Sequence, residues 1–133
     1  MMRTLDQDRA RHALEKVEGL KSKSERYRRD YVSSVENLPA SIIMNGLGQA
    51  LATLLAAAAR GEESANDPHR ALYRNLEEWL CRDDPQAPYP RQSDLMRAIL
   101  SYDRFSYIQA QAEAMAWLEW HKKFAVAFLK SMQ

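Results

Sequence analysis

Only one of the 133 residues is a cysteine, Cys81. A lone thiol excludes an internal disulfide, cannot anchor a zinc site by itself, and fits a reducing cytoplasm. Glycine and proline are scarce, at four and five residues. β-Branched residues are sparse too, whereas alanine and leucine are common, so the chain favours helix over sheet. The N-terminal stretch MMRTLDQDRARH lacks the apolar core of a signal peptide. The longest low-charge run, Leu38 to Ala59, carries Ser41, Asn45, Gln49 and Thr53 at helical spacing. That pattern suits a buried helix of a soluble protein, not a membrane span.

Patterns that carry catalysis are missing as well. His12, His69 and His121 fall in three separate segments, and no pair has the i, i+4 spacing of a helical metal site. His12 and His69 are expected in solvent. The carboxylate pairs Glu62–Glu63, Glu77–Glu78 and Asp83–Asp84 are adjacent, so on a helix the two members point in different directions. Acid–base work needs two carboxylates aimed across one cleft. No serine sits in a nucleophile elbow, and no basic cluster beside Cys81 lowers its pKa. Asn45-Gly46-Leu47-Gly48 is followed by Gln49-Ala50, where a phosphate loop needs its lysine and hydroxyl. The expectation is a non-enzyme with no catalytic residue, no metal and no cofactor.

What is present is helical periodicity and an uneven spread of charge. The net charge is +1. Residues 1–30 hold nine Lys/Arg against six Asp/Glu, residues 61–85 three against seven, and residues 86–133 six against four. Both ends are therefore basic and the middle acidic.

The first helix is expected to run unbroken from about Thr4 to Val35. Its apolar or small residues include Ala10, Ala13, Leu14, Val17, Leu20, Tyr27, Tyr31 and Val35. Asn37 then caps a second helix with Pro39 in its first turn, running to about Arg60. The glycines of Asn45-Gly46-Leu47-Gly48 mark a kink, a break or a close backbone approach inside it. Asp67-Pro68 starts a third helix, to about Cys81. Three prolines between Pro85 and Pro90 give an irregular connector. Ser93 caps a short helix. Asp103 caps the last one, from about Arg104 to Ser131, with Phe105, Ile108, Ala112, Met115, Leu118, Trp120, Phe124, Phe128 and Leu129 as its broad apolar surface. The whole reads as one all-α domain over 1–133, a compact bundle of about five to six helices with long first and last members.

The remaining chemistry is basic. Arg26, Arg28 and Arg29 are clustered, with Lys21 and Lys23 one turn earlier and Lys122-Lys123 on the last helix. Such side chains can follow a phosphate backbone, where each neutralised phosphate releases counterions. With no aromatic motif for stacking single-stranded bases, such binding would be indifferent to sequence. The other reading of the same residues is a solvated face.

Two segments carry a resemblance. One runs from Tyr31 through Leu38-Pro39, Asn45-Gly46-Leu47-Gly48 and Leu51. The other is Glu113-Ala114-Met115-Ala116-Trp117-Leu118, then Trp120 and Lys122-Lys123-Phe124-Ala125. Together these segments, about a third of the chain, resemble the small helical subunit of type III-B CRISPR–Cas effector complexes, the Cmr complex. The resemblance implies a non-catalytic subunit in antiviral defence. Its copies would stack into a short filament beside the guide-RNA-binding subunits and help hold guide and target RNA, while other subunits cleave. The expected partners are those subunits, the RNAs and further copies of the chain, with no membrane. Lys21, Lys23, Arg26, Arg28, Arg29, Lys122 and Lys123 are the candidate RNA contacts, chosen on charge clustering. The alternative is a helical protein–protein adaptor that touches no nucleic acid.

Overall fold

Helix 1 starts where side chains satisfy its free N–H groups. Thr4 accepts from the backbone of Gln7, and Gln7 reaches back to the Thr4 N–H, forming a capping box. In this computed structural model, which describes residues 2–130, α1 spans Leu5–Glu18. The chain then makes a turn, and Ser24 caps α2, Glu25–Asn45, by accepting from the Tyr27 N–H at 3.1 Å.

The single helix expected over residues 4–35 is therefore two. The apolar pattern runs through the break because Leu20, in the turn, is itself buried. Nor does a new helix begin at Asn37. Pro39 lies inside α2, where it removes one backbone donor without ending the helix.

At Gly46 the helix does break. The Gly46 backbone is left-handed and extended, φ 85° and ψ 160°, a combination open essentially to glycine alone. α3, Leu47–Ala57, follows. A short 3₁₀ segment, Gly61–Asn66, leads to Asp67, which caps α4, Pro68–Leu80. The proline-rich connector is ordered. Tyr89 N–H donates to the Leu80 carbonyl, Arg91 N–H to that of Cys81, and Ala87 and Tyr89 are buried. α5, Leu95–Ser101, is capped by Asp94, one residue beyond the expected Ser93. α6, Arg104–Leu129, is capped by Asp103. Ser131, the expected last residue of that helix, lies outside the described residues.

The bundle is all-helical among the described residues, and α6 is its longest member. α6 runs parallel to α1, with Arg9 beside Glu113, His12 beside Trp117 and Lys21 over Phe128. It runs antiparallel to α2, with Tyr31 meeting His121 and Leu47, just past the end of α2, meeting Gln111. One cluster of buried side chains takes in all six α-helices and Tyr89 of the connector.

The buried face of α6 matches the expected one only in part: Leu118 and Leu129 are buried, and Met115, Trp120 and Phe124 pack against the core. Ala110, Ala114, Trp117, Leu118, His121, Ala125 and Leu129 point inward, whereas Phe105, Ile108 and Phe128 are exposed. Small alanines let α1 and α2 approach α6 closely, which turns the large apolar residues at its start outward. No helix among the described residues is long and apolar enough to cross a membrane.

Candidate functional site

Long-range polar contacts hold α6 against its neighbours. Arg9 makes a bidentate pair with Glu113, Nε to Oε2 at 2.6 Å and a terminal nitrogen to Oε1 at 2.9 Å. The Trp79 indole N–H donates to the same carboxylate at 3.0 Å. Burial pushes the Glu113 carboxyl up, but the bonds from Arg9 and Trp79 and the charges of Arg9 and Arg82 outweigh it and hold the pKa below its ordinary value. The Arg82 guanidinium lies 3.8 Å from the centre of the Trp79 ring.

Deeper in, Asn75 donates to the Tyr31 hydroxyl at 2.9 Å, Tyr31 donates to His121 Nε2 at 2.5 Å, and His121 Nδ1–H donates to the Ala13 carbonyl at 3.1 Å. His121 is fully buried, stacked on Trp117, and its pKa is depressed to about 3 because burial disfavours the charged ring. His12 is not in solvent either. It accepts from the Trp117 indole at 3.0 Å and lies 3.3 Å from Glu78, and burial lowers its pKa. Cys81 is buried, and its thiol is pushed up to about 12, chiefly by burial. These groups bind one another structurally. Among the described residues no three His, Cys, Asp or Glu side chains gather as a metal site.

The basic candidates divide into three places. Lys23 and Arg26 face the 3₁₀ segment. Lys23 donates to Asn66 at 2.9 Å, and Arg26 lines a polar hollow with Asp30, Glu63 and Asp67. Arg28 and Arg29, also in the first turns of α2, form no ion pair among the described residues. Arg28 is half-buried with Nε unbonded, and Arg29 is exposed. Lys21, in the turn before α2, sits 4.8 Å over the Phe128 ring. Lys122 and Lys123 lie elsewhere, on the rim of a groove of about 430 Å³ between α2 and α6. Lys123 is paired with Glu119 at 3.5 Å.

One feature of the surface escaped the sequence reading. Ile43 and Met44 at the end of α2, and Phe105 and Ile108 at the start of α6, are 72, 81, 77 and 60% exposed. The buried α6 series from Ala110 to Leu129 passes beside Phe105 and Ile108 without including them.

Fold and polar contacts together define a small all-α bundle whose distinctive features are charged and apolar surfaces, with its interior titratable groups committed to packing. A family model described as CRISPR-associated protein (Cas_Cmr5) matches residues 5–128, and the chain belongs to that family. It is also similar to the X-ray crystal structure of a CRISPR-associated Cmr5 family protein from Thermus thermophilus. The two are 29% identical, with a TM-score of 0.73, over 97% of this chain and 100% of that one.

Proposed function

We propose that the chain is a non-catalytic structural subunit of a type III-B CRISPR ribonucleoprotein, folding as one domain and acting in the cytoplasm. Copies of it stack into a short filament within the complex, and its basic faces follow the backbone of guide and target RNA. The observation that carries this reading is the match to a CRISPR-associated family across residues 5–128.

The structure supports unequal roles for the basic residues. Arg28 and Arg29 have no carboxylate partner among the described residues and are the leading phosphate contacts, whereas Lys21, nearby in sequence, lies 3.9 Å from the Glu18 carboxylate. Lys23 and Arg26 contribute less, because the former is bonded to Asn66 and the latter shares its hollow with three carboxylates. The position of Lys122 and Lys123 beside an apolar groove favours a second reading for that face, the protein adaptor.

Purification of the tagged protein from its native cells tests the proposal. Other effector subunits and short guide RNAs should co-purify. Recovery of the chain with neither would overturn the proposal, and recovery with subunits but no RNA would leave only the adaptor.

A further inference from the structure

The α2–α6 groove has an aliphatic floor of Pro39, Met115, Leu118 and Val126, edged by Ala127. Its rim carries two ammonium groups, Lys122 and Lys123, against one carboxylate, Glu119. Glu119 is taken by Lys123, so the charge of Lys122 is uncompensated among the described residues. The groove continues toward exposed apolar side chains. Ile43 lies about one turn beyond Pro39 on α2, and Ile108 about two turns before Met115 on α6. α6 stays close to the chain just past the end of α2, since the Leu47 N–H, at the start of α3, bonds Gln111.

Three kinds of occupant compete for such a surface. RNA fits poorly, because an aliphatic floor offers phosphate no donors and bases no aromatic platform. A second copy also fits poorly: its exposed Leu5 is flanked by Asp6 and Asp8, but these carboxylates are already paired with Arg9 and Arg3. The chain's own acidic segment, Gly61–Asn66, has no large apolar side chain to fill the floor. Its exposed Leu100 and Phe105 are flanked by Arg97 and Arg104, which would meet the lysines as like charges. An amphipathic helix with carboxylates beside its apolar face satisfies both floor and rim.

We propose that this groove seats such a helix from a different protein subunit, its apolar side chains on the floor and its carboxylates at Lys122 and Lys123. The inference rests on the chain being a subunit of a larger complex. It assigns these two lysines to a protein contact, not to RNA.

The test places a photo-crosslinking benzoylphenylalanine at position 127, an exposed site on the groove, in the complex purified from its host. The expected result is an adduct with another protein subunit, within a peptide that carries Asp or Glu beside apolar residues. Charge reversal, Lys122→Glu with Lys123→Glu, should lower the adduct yield on the order of tenfold. Circular dichroism of the isolated variants checks that the helices persist, and the exposed position 43, on α2 beyond Pro39, serves as a second crosslinking site. An adduct with RNA, an adduct with another copy of the chain, no adduct from either site, or a yield unmoved by charge reversal would each overturn the inference. Failure of the underlying reading looks different, because no effector subunits would then co-purify at all.

Discussion

Tyr31 and His121, ninety residues apart, meet in the interior with the tyrosine hydroxyl donating to the imidazole at 2.5 Å. The bond fixes the tautomer of His121, whose other nitrogen donates to the Ala13 carbonyl. Three helices, α1, α2 and α6, are thereby joined through one ring, and Asn75 adds α4 through the tyrosine oxygen. A buried polar chain with every member bonded rigidifies the core, and removing one member leaves the others unpaired.

Stability should fall in mild acid for this reason. The His121 pKa is depressed from 6.5 to about 3, so below pH 6.5 the unfolded chain takes up a proton that the native state refuses. Stability is fully present above pH 6.5. It declines by about 1.4 kcal/mol per pH unit as pH falls toward 3, to a total of roughly 5 kcal/mol at most. Burial also lowers the pKa of His12, and this adds loss in the same direction. Urea unfolding between pH 4 and 8 measures the slope. His121→Gln should flatten it while lowering stability at neutral pH. An unchanged slope in that variant would refute the assignment.

Glu113 holds Arg9 and Trp79 together at the junction of α1, α4 and α6. Glu113→Ala leaves the half-buried Arg9 guanidinium with only the exposed Asp6 carboxylate, and the Trp79 indole N–H without its acceptor, and should cost about 2–4 kcal/mol in chemical denaturation. Arg9→Met combined with Glu113→Ala should cost less than the two single changes added, because the two groups that bond each other are then removed together. Strict additivity would show that the pair is not coupled.

Gly46 and Gly48 should respond differently to alanine. At Gly46 the backbone is strained for any side chain, and a Cβ would lie 3.0 Å from the Tyr107 hydroxyl. Gly46→Ala should therefore destabilise by about 1–3 kcal/mol. At Gly48 a Cβ would meet ordinary van der Waals contacts at 3.6 Å within a helix. Gly48→Ala should be neutral or stabilising by up to about 1 kcal/mol. Thermal melts of the two variants compare them directly.

Charge reversal on the exposed side of α2, Arg26→Glu with Arg29→Glu, should weaken RNA retention by the assembled complex and leave the melting of the isolated chain unchanged. The slope of log affinity against log salt should shrink by about 1–2 units if both side chains neutralise phosphates. Unaltered RNA protection in nuclease digestion would remove this face from the RNA path.

Much of the fold was readable from local chemistry. Asp67-Pro68 and Asp103 start the helices expected of them, and Gly46 breaks the chain where its flexibility is required. The break between α1 and α2 was hidden because Leu20 kept the apolar spacing intact through the turn. The site was less readable. The seven basic residues form one list in sequence, but in space Lys23 and Arg26 face the 3₁₀ segment while Lys122 and Lys123 border a groove. His12 and His121 looked like solvent-exposed or unplaced polar groups until neighbouring helices closed over them.

The sequence by itself determined the helical class, most of the helix starts and the family. The helical class and the helix starts depend on residues a few positions apart, whose spacing the backbone geometry reads directly, and the family was carried by the resemblance of two segments. Only the tertiary structure decided which apolar residues of α6 are buried, that Arg9 finds Glu113 across 104 residues, and that Lys122 and Lys123 border an apolar groove. Those outcomes follow from the stacking of α1, α2 and α6. The stacking is set by where small side chains let helices approach, and no local spacing along the chain encodes it.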